Sequence, residues 1–593
     1  MDDQNKNLIL ATALSFLVIL AWFFFFPPPE PEAPPQPAAV TATDAPAVAP
    51  PAATDATGAA QTAEAAPEAP RVAIDTPRIE GSITLLGGRI DDLKLKDYQV
   101  TLDPKSDLVR LLTPVGQTGS YYALYGWAPG GDLGFEDVPG PNTEWTVADG
   151  TTLSLEAPVT LRWDNGKGLI FSRTLSIDEN YMFTVTQAVE NTGATDVSVA
   201  PYGIVARHGM PADLQNFFVL HEGVVGRVDG TLTETKYKAL TELPVIDREG
   251  AQAEIAEATK DGWIGFTDKY WMTTLIPEQG KPFTAVTKYV AATDVFQVET
   301  RQPVITVAAG TVASSTSRLF AGAKEWETIR AYQNEGGIAG FVDSIDWGWF
   351  YFLTKPFFFL LDWIKGIVGN FGLAILIATV LVKAAVFPLA NKSYASMSKM
   401  KKLQPEMERL KKEYPEDKMK QQQEMMALYK REKVSPLSGC LPVVVQIPIF
   451  FSLYKVILTS IELRHAPFFG WIHDLSAPDP TSLFNLFGLI PWTPPHMLMI
   501  GVWPIIMGIT MWLQMRLNPA PPDPVQASLF NWMPVLFTFM LGTFPVGLVI
   551  YWAWSNTLSV IQQSFIMKKH GVDVDLLGNV RNSLPFLKKK ATS

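Results

Sequence analysis

The chain has 593 residues, of which 47% are hydrophobic and 18% are charged. This length excludes one ordinary domain, and the composition indicates a membrane part joined to a soluble part. Residues 1–340 carry 24 basic and 43 acidic side chains, whereas residues 341–593 carry 24 and 16. The acidic first part and the basic second part are therefore expected to face different surroundings.

An uncharged apolar run of 19 residues, Leu8–Phe26, follows a short segment with a single lysine. It is longer than a signal-peptide core and lacks a strongly basic start, which favours an uncleaved transmembrane anchor over residues 1–26. Residues 27–70 contain 12 prolines, many alanines and no basic side chain. Such a segment cannot bury a core, so it is predicted to be an extended, disordered linker.

Short runs of alternating polar and apolar residues fill residues 71–330, separated by Gly, Asp, Asn and Pro; examples are TLRWD, MFTVTQAV and VFQVET. This pattern predicts a β-rich domain, most simply a sandwich of antiparallel strands. Residues 344–368 follow and are rich in aromatic side chains. They are predicted to form an amphipathic helix in the membrane interface, and a short core helix packed on the next span is the alternative.

A single charged side chain, Lys383, interrupts the apolar run Phe371–Ala390. A run of this length can cross a bilayer at ~1.5 Å per residue. A cation inside a span costs roughly 2.5 to 3.5 kcal/mol and usually faces a protein interior or a water-filled cavity. Snorkelling to the interface is the alternative. Thr379 lies one turn earlier on the same helical face and adds a second polar group there.

Residues 391–440 are polar, with 12 basic and 7 acidic side chains, and helix-forming runs flank Tyr414 and Pro415. They are predicted to form a helical hairpin outside the membrane. Three further apolar stretches follow, at Leu441–Ile461, Met497–Met515 and Leu529–Ile566, and the last is long enough for two short spans. With the anchor these give six spans, of which five belong to a core at residues 371–567.

Lysine and arginine are concentrated in two segments, 12 of them in residues 391–440 and six in the tail at residues 568–593. The segment 462–496 has one, Arg464. Because cytoplasmic loops carry the excess of basic residues, both rich segments are predicted to be cytoplasmic. Six spans then place both termini in the cytoplasm and the acidic β-rich domain on the other side.

Polar side chains also recur along the last apolar stretch at helical spacing: Trp552, Asn556, Ser559 and Gln563. A polar stripe on a span faces a partner helix or water rather than lipid. Hydrogen bonding between helices is the commoner use, and lining a hydrophilic cavity together with Lys383, Thr379 and Gln446 is the functional alternative. None of these groups is an evident nucleophile, so their expected role is recognition.

The single cysteine, Cys440, allows no intrachain disulfide, and the six histidines show no HExxH or clustered spacing. The sequence also contains no Walker A loop, no GxGxxG that opens a helix and no GxSxG elbow. We therefore expect no metal site, no cofactor and no enzymatic activity.

Several segments of residues 344–567 resemble the YidC membrane protein insertase family in order and spacing: TKPFFFLLDWIKGIVGNFG, KSYASMSKMKKLQP, QQEMMALYKREKVSPLSGCLPVVVQIPIF, ELRHAPFFGWIHDLSAPDP and FPVGLVIYWAWSNTLSVIQQ. The segments GGRIDDLKLKDY and LFAGAKEWETIRAY resemble, more loosely, the β-supersandwich domain of its Gram-negative members. The resemblance implies a periplasmic location for that domain and a five-helix core with a groove open to the cytoplasm and the lipid. It places the chain in the inner membrane of a Gram-negative bacterium.

Two positions depart from the family pattern. Lys383 falls where most bacterial relatives place an arginine, which keeps the charge and loses the planar fork that grips a carboxylate with two hydrogen bonds. Lys455 replaces a position expected to be aromatic, and the sequence leaves open whether it reaches the groove or snorkels to the periplasmic interface.

The predicted function is that of an insertase and membrane chaperone that moves short hydrophilic segments of client proteins across the bilayer. A wet, charged recess lowers the cost of bringing polar residues into the membrane, and the client helix then gains free energy by entering lipid. The resemblance further implies nascent membrane proteins as partners, work alone or beside the Sec translocon, and ribosome contact through the hairpin and tail. The rival class is a solute transporter or channel with an intramembrane anion site.

Overall fold

The computed structural model describes residues 69–571, apart from 216–219, 416, 433–440, 491, 493–494, 496–498 and 519–523. The predicted anchor at residues 1–26 and all but the last two residues of the predicted linker lie outside the described residues. Cys440 and most of the basic tail also lie outside them.

Twenty-one strands occupy the described residues between 71 and 323. In chain order they are β1 (Arg71–Asp75), β2 (Ile79–Thr84), β3 (Arg89–Gln99), β4 (Leu108–Leu112), β5 (Tyr121–Gly130), β6 (Thr146–Asp149), β7 (Thr152–Leu153), β8 (Val159–Asp164), β9 (Leu169–Ile177), β10 (Met182–Asn191), β11 (Val197–His208), β12 (Gly223–Val228), β13 (Thr231–Lys236), β14 (Val245–Ile246), β15 (Ala251–Ala258), β16 (Gly262–Thr267), β17 (Trp271–Ile276), β18 (Phe283–Val290), β19 (Val295–Arg301), β20 (Ile305–Val307) and β21 (Val312–Ala323).

The strands form two sheets. A 12-stranded sheet runs in the order β14-β15-β18-β19-β11-β5-β3-β2-β1-β7, with β20 paired to β11 and β4 to β3. A 9-stranded sheet runs in the order β13-β12-β16-β17-β21-β10-β9-β8-β6. The pairs are antiparallel, as β10 and β21 are over nine residue pairs, except that β1 and β7 run parallel.

Alternating sequence explains why these strands pack face to face. In β9 every second side chain is buried, from Leu169 through Phe171 to Ile177, and these residues share one core with Ile79 and Leu93 of the other sheet. Each large apolar side chain buried in this way contributes about 1.5 to 3 kcal/mol. The predicted β-rich domain is confirmed.

One buried cation, Arg173 of β9, crosses this core. Its guanidinium donates hydrogen bonds to the carbonyl oxygens of Gly87 (3.2 Å), Gly88 (2.9 Å) and Tyr125, all on the side of the larger sheet. Trp145 covers it, with the guanidinium carbon 4.6 Å from the ring centroid. Burial lowers the pKa of Arg173 to about 10. The three carbonyl oxygens engage both terminal nitrogens of the group without a carboxylate, and its buried Nε has no hydrogen-bond partner among the described residues.

Helices make up most of the remainder of the described chain. They are α1 (Tyr237–Leu240), α2 (Trp326–Asn334), α3 (Tyr351–Val368), α4 (Phe371–Ala385), α5 (Phe387–Lys402), α6 (Gln404–Glu413), α7 (Lys418–Arg431), α8 (Leu441–Thr459), α9 (Val502–Leu517), α10 (Pro524–Leu541) and α11 (Val546–Lys569).

The apolar run that carries Lys383 is not one straight helix. α4 ends at Ala385 and α5 begins at Phe387, with a bend of 67° between them. Pro388 lies in the first turn of α5, where its missing N–H does no harm, whereas inside a continuous helix it would break a hydrogen bond. Among the described residues no single helix has the length and hydropathy of a complete crossing, and α4 with α5 passes that test as a bent pair.

The helix predicted for residues 344–368 begins later, at Tyr351. Residues up to 350 instead form a connection in which Gly348 has a φ of 68°, a left-handed conformation that suits glycine and interrupts a helix. α3 itself is two-faced, with Phe358, Leu361 and Ile364 buried and Phe352, Trp363 and Ile367 exposed. Its location in the membrane interface stays a prediction.

Helices α6 and α7 lie on either side of Tyr414 and pack as a hairpin. Met407 and Leu410 of α6 form a small buried cluster with Leu428 and Tyr429 of α7. A cluster of this size stabilises the hairpin less than the main core stabilises the sheets, because far less apolar area is buried.

Aromatic packing joins the β-rich domain to the helices. Trp326 lies at the start of α2. Its ring centroid is 5.5 Å from that of Trp347, and it is 5.7 and 4.8 Å from those of Phe358 and Phe359, both on α3. The pairs with Trp347 and Phe359 are edge-to-face, an arrangement that adds about 0.5 to 1.5 kcal/mol per pair beyond the stabilisation from buried area. The two parts of the molecule are therefore packed against each other.

A carboxylate lies in the same contact. Glu462, beyond the end of α8, accepts a hydrogen bond from the backbone N–H of Trp326 at 2.8 Å. Burial raises the pKa of Glu462 to about 7; that hydrogen bond opposes the rise, and the nearby carboxylates of Glu325 and Asp362 add to it.

This raised pKa predicts a pH dependence. Between the ordinary carboxyl pKa of 4.5 and about 7 the folded protein binds more protons than the unfolded chain, so Glu462 makes stability fall as pH rises through that window. Glu462→Gln should flatten the fall in melting temperature between pH 5 and 7.5, measured on the purified protein. Glu278→Gln at an exposed ion pair is the control and should leave the slope unchanged; equal slopes for wild type and Glu462→Gln would contradict the assignment.

Candidate functional site

Lys383 lies in the last turn of α4 and is directed at two other helices. Its Nζ donates to the Oγ of Ser559 on α11 at 2.7 Å and to the Oε1 of Gln446 on α8 at 3.4 Å. The side chain is partly buried. The ammonium is therefore held inside the helical part by polar groups.

Gln446 is fixed by its other end. Its Nε2 donates to the phenolic oxygen of Tyr551 at 2.9 Å and to the Oγ of Ser555 at 3.0 Å. Because both amide donors are engaged on α11, the amide oxygen is left to face Lys383. Tyr551, Ser555 and Ser559 are four residues apart, so they occupy one face of α11.

The lysine also lines a small recess between these helices, with a cavity volume of ≈ 20 Å³. Its walls come from α3, α4, α8 and α11 and are mostly apolar: Phe357, Ile375, Ala378, Thr379, Val382, Lys383, Val386, Gln446, Ile449, Leu453 and Tyr551. Thr379 is buried there and donates its hydroxyl to the carbonyl oxygen of Ile375 at 2.6 Å. Its apolar lining with a few convergent polar groups is the chemistry of many binding sites, although it is smaller than the ~300 to 1,000 Å³ that such sites usually have.

The recess contains a positive charge, Lys383, without a paired negative charge among the described residues. The described partners of Lys383 are neutral oxygen atoms, and within the described part of the chain no Asp or Glu forms an ion pair with it. Neutral hydrogen bonds stabilise a buried cation less than a carboxylate does. The recess therefore favours an anionic group.

Four of the predicted site residues, Lys383, Thr379, Gln446 and Ser559, are brought together. The other three are placed elsewhere on α11. Trp552 packs against Phe450 and Phe537, with centroids 4.7 and 5.6 Å away. The Nδ2 of Asn556 contacts the hydroxyl of Thr510 at 3.4 Å, and the Nε2 of Gln563 donates to Asn518 at 3.0 Å. Asn556 and Gln563 thus make contacts between helices, which was the commoner of the two uses considered.

Tyr551 and Ser555 were not singled out by the sequence analysis. The sequence does contain the pattern that would have indicated them: Tyr551, Ser555 and Ser559 recur every four residues. This repeat begins one residue before Trp552, the first residue of the predicted stripe. Trp554 was also missed; its Nε1 donates to the carbonyl oxygen of Leu376 at 3.1 Å and ties α11 to α4. A tyrosine and a serine in an apolar helix are too common to select without the position of Gln446.

Lys455 does not line the recess. It follows Gln446 by nine residues on α8, which is ~13 Å along the axis and half a turn out of phase. Its Nζ forms a buried ion pair with Asp346, in the connection before α3. The sequence left its environment open, and the structure places it at the contact between the helices and the β-rich domain.

These observations define a class of protein: a β-rich domain joined to an apolar helical module, with a recess that holds a lysine whose described partners are all neutral. Family models agree with both parts, since the YidC periplasmic domain matches residues 71–360 and the 60Kd inner membrane protein matches residues 363–572. The chain is similar to the membrane protein insertase YidC of Cereibacter sphaeroides strain KD131, at 61% identity over 100% of this chain and 97% of that protein. It is 59% identical to the membrane protein insertase YidC of Dinoroseobacter shibae, over 100% of this chain and 99% of that one.

The chain therefore belongs to the YidC family of membrane protein insertases. A solved structure, described as an active YidC insertase with the first transmembrane domain resolved, is similar at 18% identity and a TM-score of 0.35, over 83% of this chain and 91% of that one. Family membership makes this an inner-membrane protein with a periplasmic domain, and the family is one of insertases rather than enzymes.

Two glutamines test whether polar residues around Lys383 differ in role from those that only join helices. Gln446→Ala removes the group between Lys383 and α11, so we expect it to slow insertion of client proteins into proteoliposomes. Gln563→Ala removes a contact between helices, which is worth about 0.6 kcal/mol in membranes, and should lower stability slightly while insertion is kept. Equal insertion defects in the two variants would contradict this division.

Proposed function

We propose that this protein inserts client proteins by drawing short hydrophilic segments into the recess around Lys383, and that it acts as a membrane chaperone for their folding. The observation that supports the proposal most directly is that Lys383 is held by neutral oxygens, with no carboxylate paired to it among the described residues. A client carboxylate is the group that such a cation lacks.

The energetic reasoning follows from the cost of burying charge. An acidic residue that enters an apolar phase alone is heavily destabilised, and so is an isolated lysine in a membrane. At an effective dielectric constant of 20 two opposite charges 4 Å apart attract by about 4 kcal/mol. Pairing the client's acid with Lys383 offsets part of both costs, which lowers the barrier for the polar segment.

Neighbouring groups extend this polar surface. Ser559 and Gln446 offer hydrogen bonds to the passing segment once the ammonium turns to the client, and Thr379 adds a hydroxyl on the apolar wall. The client's apolar helix then leaves for lipid, gaining ~0.8 kcal/mol for each CH₂ removed from water. Partitioning into lipid supplies the driving force, and the predicted absence of a nucleotide site is in keeping with this.

The proposal includes a topology and partners. Six spans, with both termini and the hairpin α6–α7 in the cytoplasm, follow from the distribution of lysine and arginine. The hairpin and the basic tail carry the positive charge that suits contact with a ribosome, whose RNA is anionic. Nascent membrane proteins are the clients, and larger ones are handled together with the Sec translocon. α3 exposes aromatic side chains of the kind that favour a membrane interface.

Replacing Lys383 tests the central step. Lys383→Ala should slow insertion of clients with acidic tails about tenfold, which corresponds to ~1.4 kcal/mol of barrier and is a fraction of the attraction given above. Clients with uncharged short tails should be spared. Lys383→Glu should be worse because it repels acidic tails, and Lys383→Arg should be close to wild type because it keeps the charge.

The measurement is insertion in vitro into proteoliposomes of matched clients that differ only in tail acidity. Thr557→Ala, a change on α11 at a hydroxyl bonded to its own helix, serves as the control. Equal insertion by the wild type and the Ala and Glu variants would refute the mechanism. Solute flux through the same vesicles, without client insertion, would favour the rival class of transporter or channel.

Topology is tested with two exposed positions in a Cys440→Ser background. Val245, in the β-rich domain, is 65% exposed and Met419, in α7, is 82% exposed, so each tolerates a labelled cysteine. Val245→Cys should react with an impermeant thiol reagent from the periplasm, and Met419→Cys should react only after the inner membrane is opened. The reverse order, or equal labelling of both, would overturn the six-span arrangement.

A further inference from the structure

A buried ion pair joins the β-rich domain to the wall of the recess. Lys455 of α8 and Asp346 of the connection before α3 form the pair, and their side chains are 7% and 9% exposed. Burying two charges costs several kcal/mol per ion before their attraction is counted. The pair is therefore weak support for stability, and a role in fixing the relative position of two elements is the better explanation.

Asp346 is tied to the β-rich domain through Oδ2, the same oxygen that pairs with Lys455. Its Oδ2 accepts the backbone N–H of His221 at 2.8 Å, just before β12, and its Oδ1 accepts that of Gly348 at 3.2 Å. His221 is held in turn, since its Nε2 lies 2.8 Å from the carbonyl oxygen of Val224. One carboxylate thus links a strand of the periplasmic domain, the connection and α8.

The surroundings of Lys455 leave it little freedom. A Cβ placed on Gly348 would lie 3.3 Å from Cε of Lys455, so the connection packs directly on the lysine stem. One turn earlier on α8, Phe451 stacks on Phe350 with centroids 6.3 Å apart. These contacts fix both the rotation of α8 and its position along its own axis.

The same helix carries Gln446, whose amide oxygen faces Lys383 at 3.4 Å. A small rotation of α8 would move this oxygen off the ammonium, because a hydrogen bond weakens steeply with misalignment. The end of α8 that contacts the β-rich domain therefore bears on the geometry at the other end.

We propose that Lys455 is a positioning residue. Through its pair with Asp346 the periplasmic domain sets the rotation of α8 and its position along its own axis. These in turn set where Gln446 lies in the recess. This rests on the proposed function in that Gln446 must matter to insertion. It assigns to the periplasmic domain a mechanical part in the membrane step.

The test uses the full chain in proteoliposomes with two readouts. The first is amide hydrogen exchange of peptides that cover residues 220–224 and 446–459. The second is insertion of the acidic-tail and uncharged-tail clients. Lys455→Met and Asp346→Asn should each speed exchange in both peptides and slow insertion of both clients by the same factor, because α8 moves while Lys383 keeps its charge.

Further variants separate positioning from folding. Lys455→Met with Asp346→Asn removes both partners of the pair, and it should show no larger effect than either single change if the two side chains act as a unit. Lys455→Arg keeps the cation and should restore most of the insertion. The control is Lys355→Met, which breaks the pair with Asp343 (3.1 Å) on the same connection but not on α8, and it should leave the exchange of residues 446–459 unchanged.

Two results would overturn the proposal. One is unchanged exchange in residues 446–459 when the pair is removed. The other is a loss of insertion that grows with tail acidity, since Lys455 would then act on the client as a charge. If the Lys383 variants prove insensitive to tail acidity while exchange in α8 still rises on removal of the pair, the coupling stands and the proposed function of the recess falls.

Discussion

The cost of holding a cation among apolar side chains is the constraint on which the helical part depends. Lys383 needs oxygen partners, and they come from two other helices, Ser559 of α11 and Gln446 of α8. Gln446 reaches the lysine because Tyr551 and Ser555 engage its amide donors. Three helices are therefore held in register by one charge that remains incompletely neutralised. An apolar residue in place of Lys383 would need no oxygen partners, and the recess would then hold no charge.

The β-rich domain solves a similar problem in a different way. Arg173 lies in its core with backbone carbonyl oxygens as acceptors and the ring of Trp145 over it. Those acceptors belong to the backbone of the fold itself, so this charge is structural. At Lys383 the acceptors are side chains, which can turn, and in the proposed mechanism a client displaces them. The distinction between a structural and a functional buried cation is thus whether its partners can leave.

Much of the fold could be predicted from the sequence, because the period of the apolar residues is a local property. The alternation in MFTVTQAV predicts β10, and the apolar stretch Leu441–Ile461 predicts α8. Contacts between side chains of different helices were harder to predict, because they depend on which helix faces meet. The predicted stripe of Trp552, Asn556, Ser559 and Gln563 includes Ser559, which meets Lys383. It misses Tyr551 and Ser555, whose role depends on the position of Gln446 on another helix. Lys455 shows the same limit: its partner Asp346 is more than a hundred residues earlier, and no spacing rule links them.

The bend after Ala385 has an electrical consequence. Peptide dipoles sum along a helix to about half a negative charge at its C-terminal end, which favours a cation in the last turn by about 0.3 to 1 kcal/mol at exposed positions and up to ~2 kcal/mol when partly buried. In a straight helix from Phe371 to Lys402, Lys383 would lie near the middle, where the partial charge at the helix end has little effect. Because α4 ends two residues after it, the lysine lies where backbone carbonyl groups point beyond the helix end. Pro388, by ending one helix and beginning the next, places Lys383 at such an end.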